Sequence, residues 1–73
     1  MAKVAKIDIK ERVAGMIRLA RKDKELTQKE VAERLSISTS AYNRYESGEQ
    51  NFTLETLESI AEAIGVNLTL FLG

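Results

Sequence analysis

The segment from Leu26 to Gly48 leaves this chain little choice of local structure. Thr27 stands three residues before Glu30, the spacing of a capping box, in which each side chain takes up a free backbone N–H at a helix start. Val31, Ala32 and Leu35 follow at helical spacing and form one apolar side. Ser36-Ile37-Ser38 interrupts the run: Ser38 can cap a further helix, and Ile37 is an apolar plug between the two. That further helix, about Thr39 to Ser47, carries Tyr42 and Tyr45 three apart, and Gly48 suits the left-handed conformation that ends it. The reading is two short helices joined by a tight turn. With both tyrosines turned inward, Thr39, Ser40, Asn43 and Arg44 are turned out.

The rest of the chain supplies helices to pack around this pair. One runs from about Ile9 to Lys24, with Ile9, Val13, Met16, Ile17 and Ala20 on its apolar side. Another is capped by Thr53, shows the stripe Leu54, Leu57, Ile60, Ala61 and Ile64, and ends at Gly65. Residues 1–7 are expected to be frayed or loosely docked. Two patterns compete in the tail. Val66, Leu68, Leu70 and Leu72 alternate as in a strand, whereas Leu68, Phe71 and Leu72 would share a helix face; a strand is the favoured reading. With no Pro, repeat, low-complexity tract or linker-like stretch, residues 1–73 read as one small all-α domain of four to five short helices.

Composition narrows the function. The absence of Cys and His removes disulfides, the usual zinc ligands and every Ser-His or Cys-His pair. Its carboxylates sit mostly where a helix would turn them to solvent, so neither an enzyme nor a cofactor or small-molecule site is expected. No apolar run is long enough to span a bilayer, and Met1 to Lys10 lacks the apolar core of a secretory signal, so the expected location is the cytoplasm. Lys and Arg balance Asp and Glu at 11 each, but unevenly along the chain. Residues 1–29 hold nine basic and four acidic side chains; residues 45–73 hold five acidic and no basic ones. Such polarity either merely maintains solubility or turns one side toward phosphates.

The outward residues of the second short helix have the chemistry to read base edges in a DNA major groove. Asn can bond adenine through two atoms, Arg can bond guanine, and Ser or Thr offers a hydroxyl or a methyl. An exposed polar helix face looks much the same in other roles, so this face alone decides nothing. The order of the pieces adds to it. Ile17-Arg18-Leu19-Ala20-Arg21, Leu26-Thr27-Gln28, Val31-Ala32, Ile37-Ser38, Glu46-Ser47-Gly48 and Ile60-Ala61-Glu62-Ala63-Ile64-Gly65-Val66 together resemble the Cro/cI-type (xenobiotic-response-element) helix-turn-helix proteins over about residues 13–66. The resemblance implies a lambda-repressor-like DNA-binding domain. It implies base or phosphate contacts for Thr39, Ser40, Asn43 and Arg44, adds weight to one from Gln28, and implies a partly buried ion pair between Arg21 and Glu46. Ser38, beside them, is counted with the same face, and Asn51 in the following loop can still bond a phosphate. Gln28 also stands at a helix start, where free N–H groups and the helix dipole favour a phosphate.

Departures from the family pattern matter as well. Relatives often have Gly at the positions of Glu25 and Ser36, where a side chain costs ~1 kcal/mol each if left-handed backbone is required. The Pro common near Phe52 is missing, and the loop that often carries basic residues reads Glu49-Gln50-Asn51, so non-specific, salt-dependent affinity is expected to be modest. A strand at the tail would pair with its copy in a two-fold homodimer, with Val66, Leu68, Leu70 and Leu72 at the interface and two reading helices over an inverted-repeat operator. A monomer with its tail folded back on the preceding helix is the other possibility. The expected function is a transcriptional regulator, most simply a repressor, a restriction-modification controller being a narrower form. The alternative is an antitoxin or adaptor whose acidic Glu55, Glu58 and Glu62 serve a protein partner such as a toxin, with autoregulatory DNA binding secondary.

Overall fold

The computed structural model describes residues 9–72, so the expectation for residues 1–7 lies outside the described residues. The elements are α1 (Ile9–Asp23), α2 (Gln28–Arg34), α3 (Thr39–Glu46), α4 (Leu54–Ile64) and α5 (Thr69–Leu72). Local chemistry sets the starts. Glu30 donates its backbone N–H to Thr27 Oγ1 at 3.0 Å, and Thr27 N–H donates to Glu30 Oε1 at 2.8 Å, closing the capping box. The bond from the Thr27 backbone holds the Glu30 carboxyl below its usual pKa. Ser38 Oγ accepts from Ala41 N–H at 3.0 Å, and Thr53 Oγ1 accepts from Thr56 N–H at 3.0 Å. Gly65, at φ 93°, ends α4 in the left-handed conformation.

The helices close around Ile17, Val31, Tyr42 and Ile60, which are fully buried and come from α1, α2, α3 and α4 in turn. Ala20, Ala32, Leu57, Ala61, Ile64 and Phe71 complete the centre. Small side chains matter here: Ala14 and Ala63, which periodicity had not singled out, are also buried. Two apolar residues read as core are not. Ile9 and Leu54 remain 67% and 63% exposed, because each is the first residue of its helix and lies beyond the end of the packed face.

The tail departs from the strand expectation. Residues 69–72 are helical, and there is no strand among the described residues. Asn67 Oδ1 accepts from Thr69 N–H at 3.0 Å and from Thr69 Oγ1 at 2.9 Å, starting the turn. Leu68 and Phe71, three apart, then face the core together, and Phe71 is only 3% exposed. An extended chain would have put Phe71 on the face opposite Leu68, forfeiting about 1.5–3 kcal/mol of burial. A four-residue helix has no stability alone, so this one is held by its packing against α1. The expected interface residues divide accordingly: Val66 and Leu68 pack against the chain's own core, while Leu70 and Leu72 stay exposed.

Both positions where a left-handed residue was in question adopt one: Glu25 at φ 58° and Ser36 at φ 60°. Each lets the chain turn sharply after a helix, with Leu26 N–H reaching Arg21 O at 3.1 Å and Ile37 N–H reaching Ala32 O at 3.0 Å. A side chain in this conformation costs about 1–2 kcal/mol, offset in part because Gly would give the unfolded chain about 0.4–1 kcal/mol more entropy. Glu25→Gly and Ser36→Gly should therefore each raise stability by about 0.5–1 kcal/mol in urea unfolding. A lowered midpoint in both would show that the strain is not there.

Candidate nucleic-acid interface

Two anchors fix how α3 sits. On one side Tyr42 is fully buried, and Tyr45, half-buried, places its ring 5.5 Å from that of Phe52. At its end, Glu46 is drawn into the protein by α1. Arg21 Nε donates to Glu46 Oε2 at 2.6 Å and Arg21 Nη2 to Glu46 Oε1 at 3.0 Å, a two-pronged pairing with both side chains almost wholly buried. Arg21 Nη1 donates further to Leu26 O at 2.8 Å, tying down the turn before α2. Arg18, for which the sequence suggested no such role, adds a bond from Nη1 to the Glu46 backbone carbonyl at 3.3 Å.

The electrostatics follow from this burial. Desolvation by itself would raise the pKa of Glu46, but hydrogen bonds led by those of Arg21 outweigh it and hold the carboxyl below its ordinary value. The hydrogen bond to Glu46 likewise raises the pKa of Arg21. Burial, and after it the neighbouring Glu46 carboxylate, push the Tyr42 phenol far up. The Tyr42 hydroxyl feels these charges but has no well-formed hydrogen bond of its own.

With its inner side held, α3 leaves Ser38, Thr39, Ser40, Asn43 and Arg44 exposed. Gln28, at the first position of α2, is half-buried and bonded to α3 through Asn43 and Glu46. Asn51 is exposed in the loop between α3 and α4, without a bond joining it to the others. The candidate surface therefore brings Gln28 and the α3 residues together, and Asn51 stands apart. Among the described residues no three His, Cys, Asp or Glu side chains gather as a cation site, and no helix is long and apolar enough to cross a membrane.

The ion pair sets a pH dependence. A carboxyl with a folded pKa below its ordinary 4.5 stabilises the fold above that value, and this contribution is lost as pH falls through the lower folded value. Melting temperature should hold near neutrality and drop below pH 4.5. Arg21→Met, which strands the Glu46 carboxylate, should cost about 3–5 kcal/mol at neutral pH. Calorimetry showing that variant as stable as the parent would contradict a buried, paired Glu46.

Comparison with known proteins agrees with this architecture. Residues 17–71 match the sequence model of the HTH_3 helix-turn-helix family. The chain is 40% identical over 60 residues to the transcriptional repressor RstR of the cryptic phage CTXphi in Vibrio cholerae, covering 82% of this chain and 50% of that protein. It is 34% identical over 61 residues to the immunity repressor protein of Bacillus phage phi105, covering 84% of this chain and 42% of that one. It thus spans about half the length of these relatives. Among solved structures, the clp gene regulator ClgR from C. glutamicum superposes with a TM-score of 0.87 at 27% identity, over 92% of this chain and 87% of that one. The hypothetical transcription factor NHTF from Neisseria gives 0.82 at 26%, over 100% and 85%. The chain belongs to the Cro/cI-type helix-turn-helix family.

Proposed function

We propose that this chain is a sequence-specific DNA-binding repressor that lays α3 in the major groove of an inverted-repeat operator. The observation that carries the reading is the division of α3 between a buried Tyr42 and an outward row of Thr39, Ser40, Asn43 and Arg44. Side chains of this kind are short enough, or forked in the right way, to reach base edges while the helix backbone stays at groove depth. Ser38 and Gln28, at the starts of α3 and α2, lie where a DNA backbone would run beside the groove, and Asn51 offers an amide from the following loop. The names of the two phage proteins support a repressor's role. The loop Glu49-Gln50-Asn51 brings no cation, so affinity rests on base contacts more than on counterion release.

A second copy of the chain is the partner assigned to the tail. Leu70 and Leu19, 48% and 68% exposed, line a shared apolar groove between α5 and α1, and covering it would take that apolar surface out of water. A two-fold pair would set two α3 helices about 34–36 Å apart, one turn of DNA. Selection from a random duplex pool should then return an inverted repeat. Asn43→Ala and Arg44→Ala should each weaken binding to it by about 1–3 kcal/mol without unfolding the protein. A pool without a common sequence would overturn the reading and favour the antitoxin alternative, with a protein partner on the exposed Glu55, Glu58 and Glu62 of α4.

A further inference from the structure

The hydrogen bonds around Glu46 continue beyond the ion pair. Glu46 Oε1, besides accepting from Arg21 Nη2, accepts from Gln28 Nε2 at 2.9 Å, and Gln28 Oε1 accepts from Asn43 Nδ2 at 3.3 Å. The polarity of this series is dictated by its first member. A guanidinium has only donors, and an ionised carboxylate only acceptors. Gln28 can therefore meet Glu46 only through its NH2 group, which leaves its carbonyl toward Asn43. That carbonyl can in turn be met only by the NH2 group of Asn43. A buried charge thus decides which way an exposed amide points.

We propose that Gln28 is a positioning residue for base recognition: held by Glu46, it fixes the Asn43 amide so that one N–H and Oδ1 face the DNA, restricting Asn43 to adenine. This rests on the reading of α3 as the base-reading helix. Asn43 Nδ2 carries two hydrogens, and the bond to Gln28 occupies one. A donor beside an acceptor remains, which matches the N7 acceptor and N6 donor of adenine. Guanine presents two acceptors, N7 and O6, in the same place. An amide free to turn could direct its NH2 group at either; one held by Gln28 sets Oδ1 against a like lone pair. Rejection of guanine is then built into the fold through a repulsive contact. Ordering the exposed Asn43 before binding also spares part of the entropy its capture would cost.

The alternative for Gln28 is a phosphate contact alone, and the two roles leave different marks. Losing a phosphate contact weakens binding to all sequences alike; losing a positioning residue relaxes preference at one base pair. Gln28→Met keeps side-chain length without the amide, and Gln28→Ala serves as a second variant that cannot overfill the site. Selection from a randomised duplex pool would be run on the parent, both Gln28 variants and Asn43→Ala. The side-chain amide signals of the free proteins would be recorded by 15N NMR. The parent should prefer adenine about tenfold or more at one position per half-site. Asn43→Ala should abolish that preference, and both Gln28 variants should lose most of it while preferences elsewhere persist. The Asn43 NH2 signals, dispersed and slow to exchange in the parent, should move to free-amide positions in both variants. Uniformly weaker binding with the adenine preference intact, or unchanged Asn43 signals, would overturn the proposal. A parent that selects no sequence would overturn the interface itself and this role with it, while the amide signals still report whether the Gln28–Asn43 link forms.

Discussion

The pairing of Arg21 with Glu46 is the constraint on which the placement of α3, and with it the candidate surface, depends. α3 has eight residues, too few to hold a helix in isolation. Burial of Tyr42 fixes one side of it, yet a single anchor leaves rotation and tilt free. Glu46 supplies the second anchor, with two bonds from Arg21 on α1 and a third from Gln28 on α2. Desolvating two charges offsets much of their mutual attraction, so the pair does more to orient α3 than to stabilise the fold. That orientation keeps Thr39, Ser40, Asn43 and Arg44 in solvent.

The turns around α2 express a related trade. Glu25 and Ser36 both hold left-handed backbone that glycine would accept more readily. The turn at Glu25 brings the Leu26 carbonyl within 2.8 Å of Arg21 Nη1, so the anchoring arginine also clasps the chain as it enters α2. The turn at Ser36 places Ser38 to cap α3. Strain at two positions is thus coupled to the geometry that presents the candidate surface.

Most of the fold was legible because its signals are local. Thr27, Ser38 and Thr53 announced three helix starts through hydrogen bonds that span only three residues. Gly65 ended α4 through its own backbone freedom. The tail was harder: over seven residues an alternating apolar pattern and a helical one are nearly equivalent, and the choice fell to the burial of Phe71 against distant helices. Ile9 and Leu54 fit their stripes, but periodicity does not say where the core stops. The Arg21–Glu46 pair came through family resemblance alone, since residues 25 apart carry no local signal. The links from Gln28 to Glu46 and Asn43 span 18 and 15 residues, and only the folded chain brings them together.

Removing both charges at once tests the role of the Arg21–Glu46 pair most directly. In Arg21→Met/Glu46→Leu the buried pair becomes an apolar contact of similar size, which is expected to leave stability within about 1–2 kcal/mol of the parent. Binding to the sequence the parent selects would be measured alongside unfolding. Loss of about tenfold or more in that affinity, 1.4 kcal/mol or more, with the fold intact is expected if the pair, together with the Gln28 that Glu46 holds, orients the surface of α3. A folded double variant that binds the same sequence as tightly as the parent would contradict it.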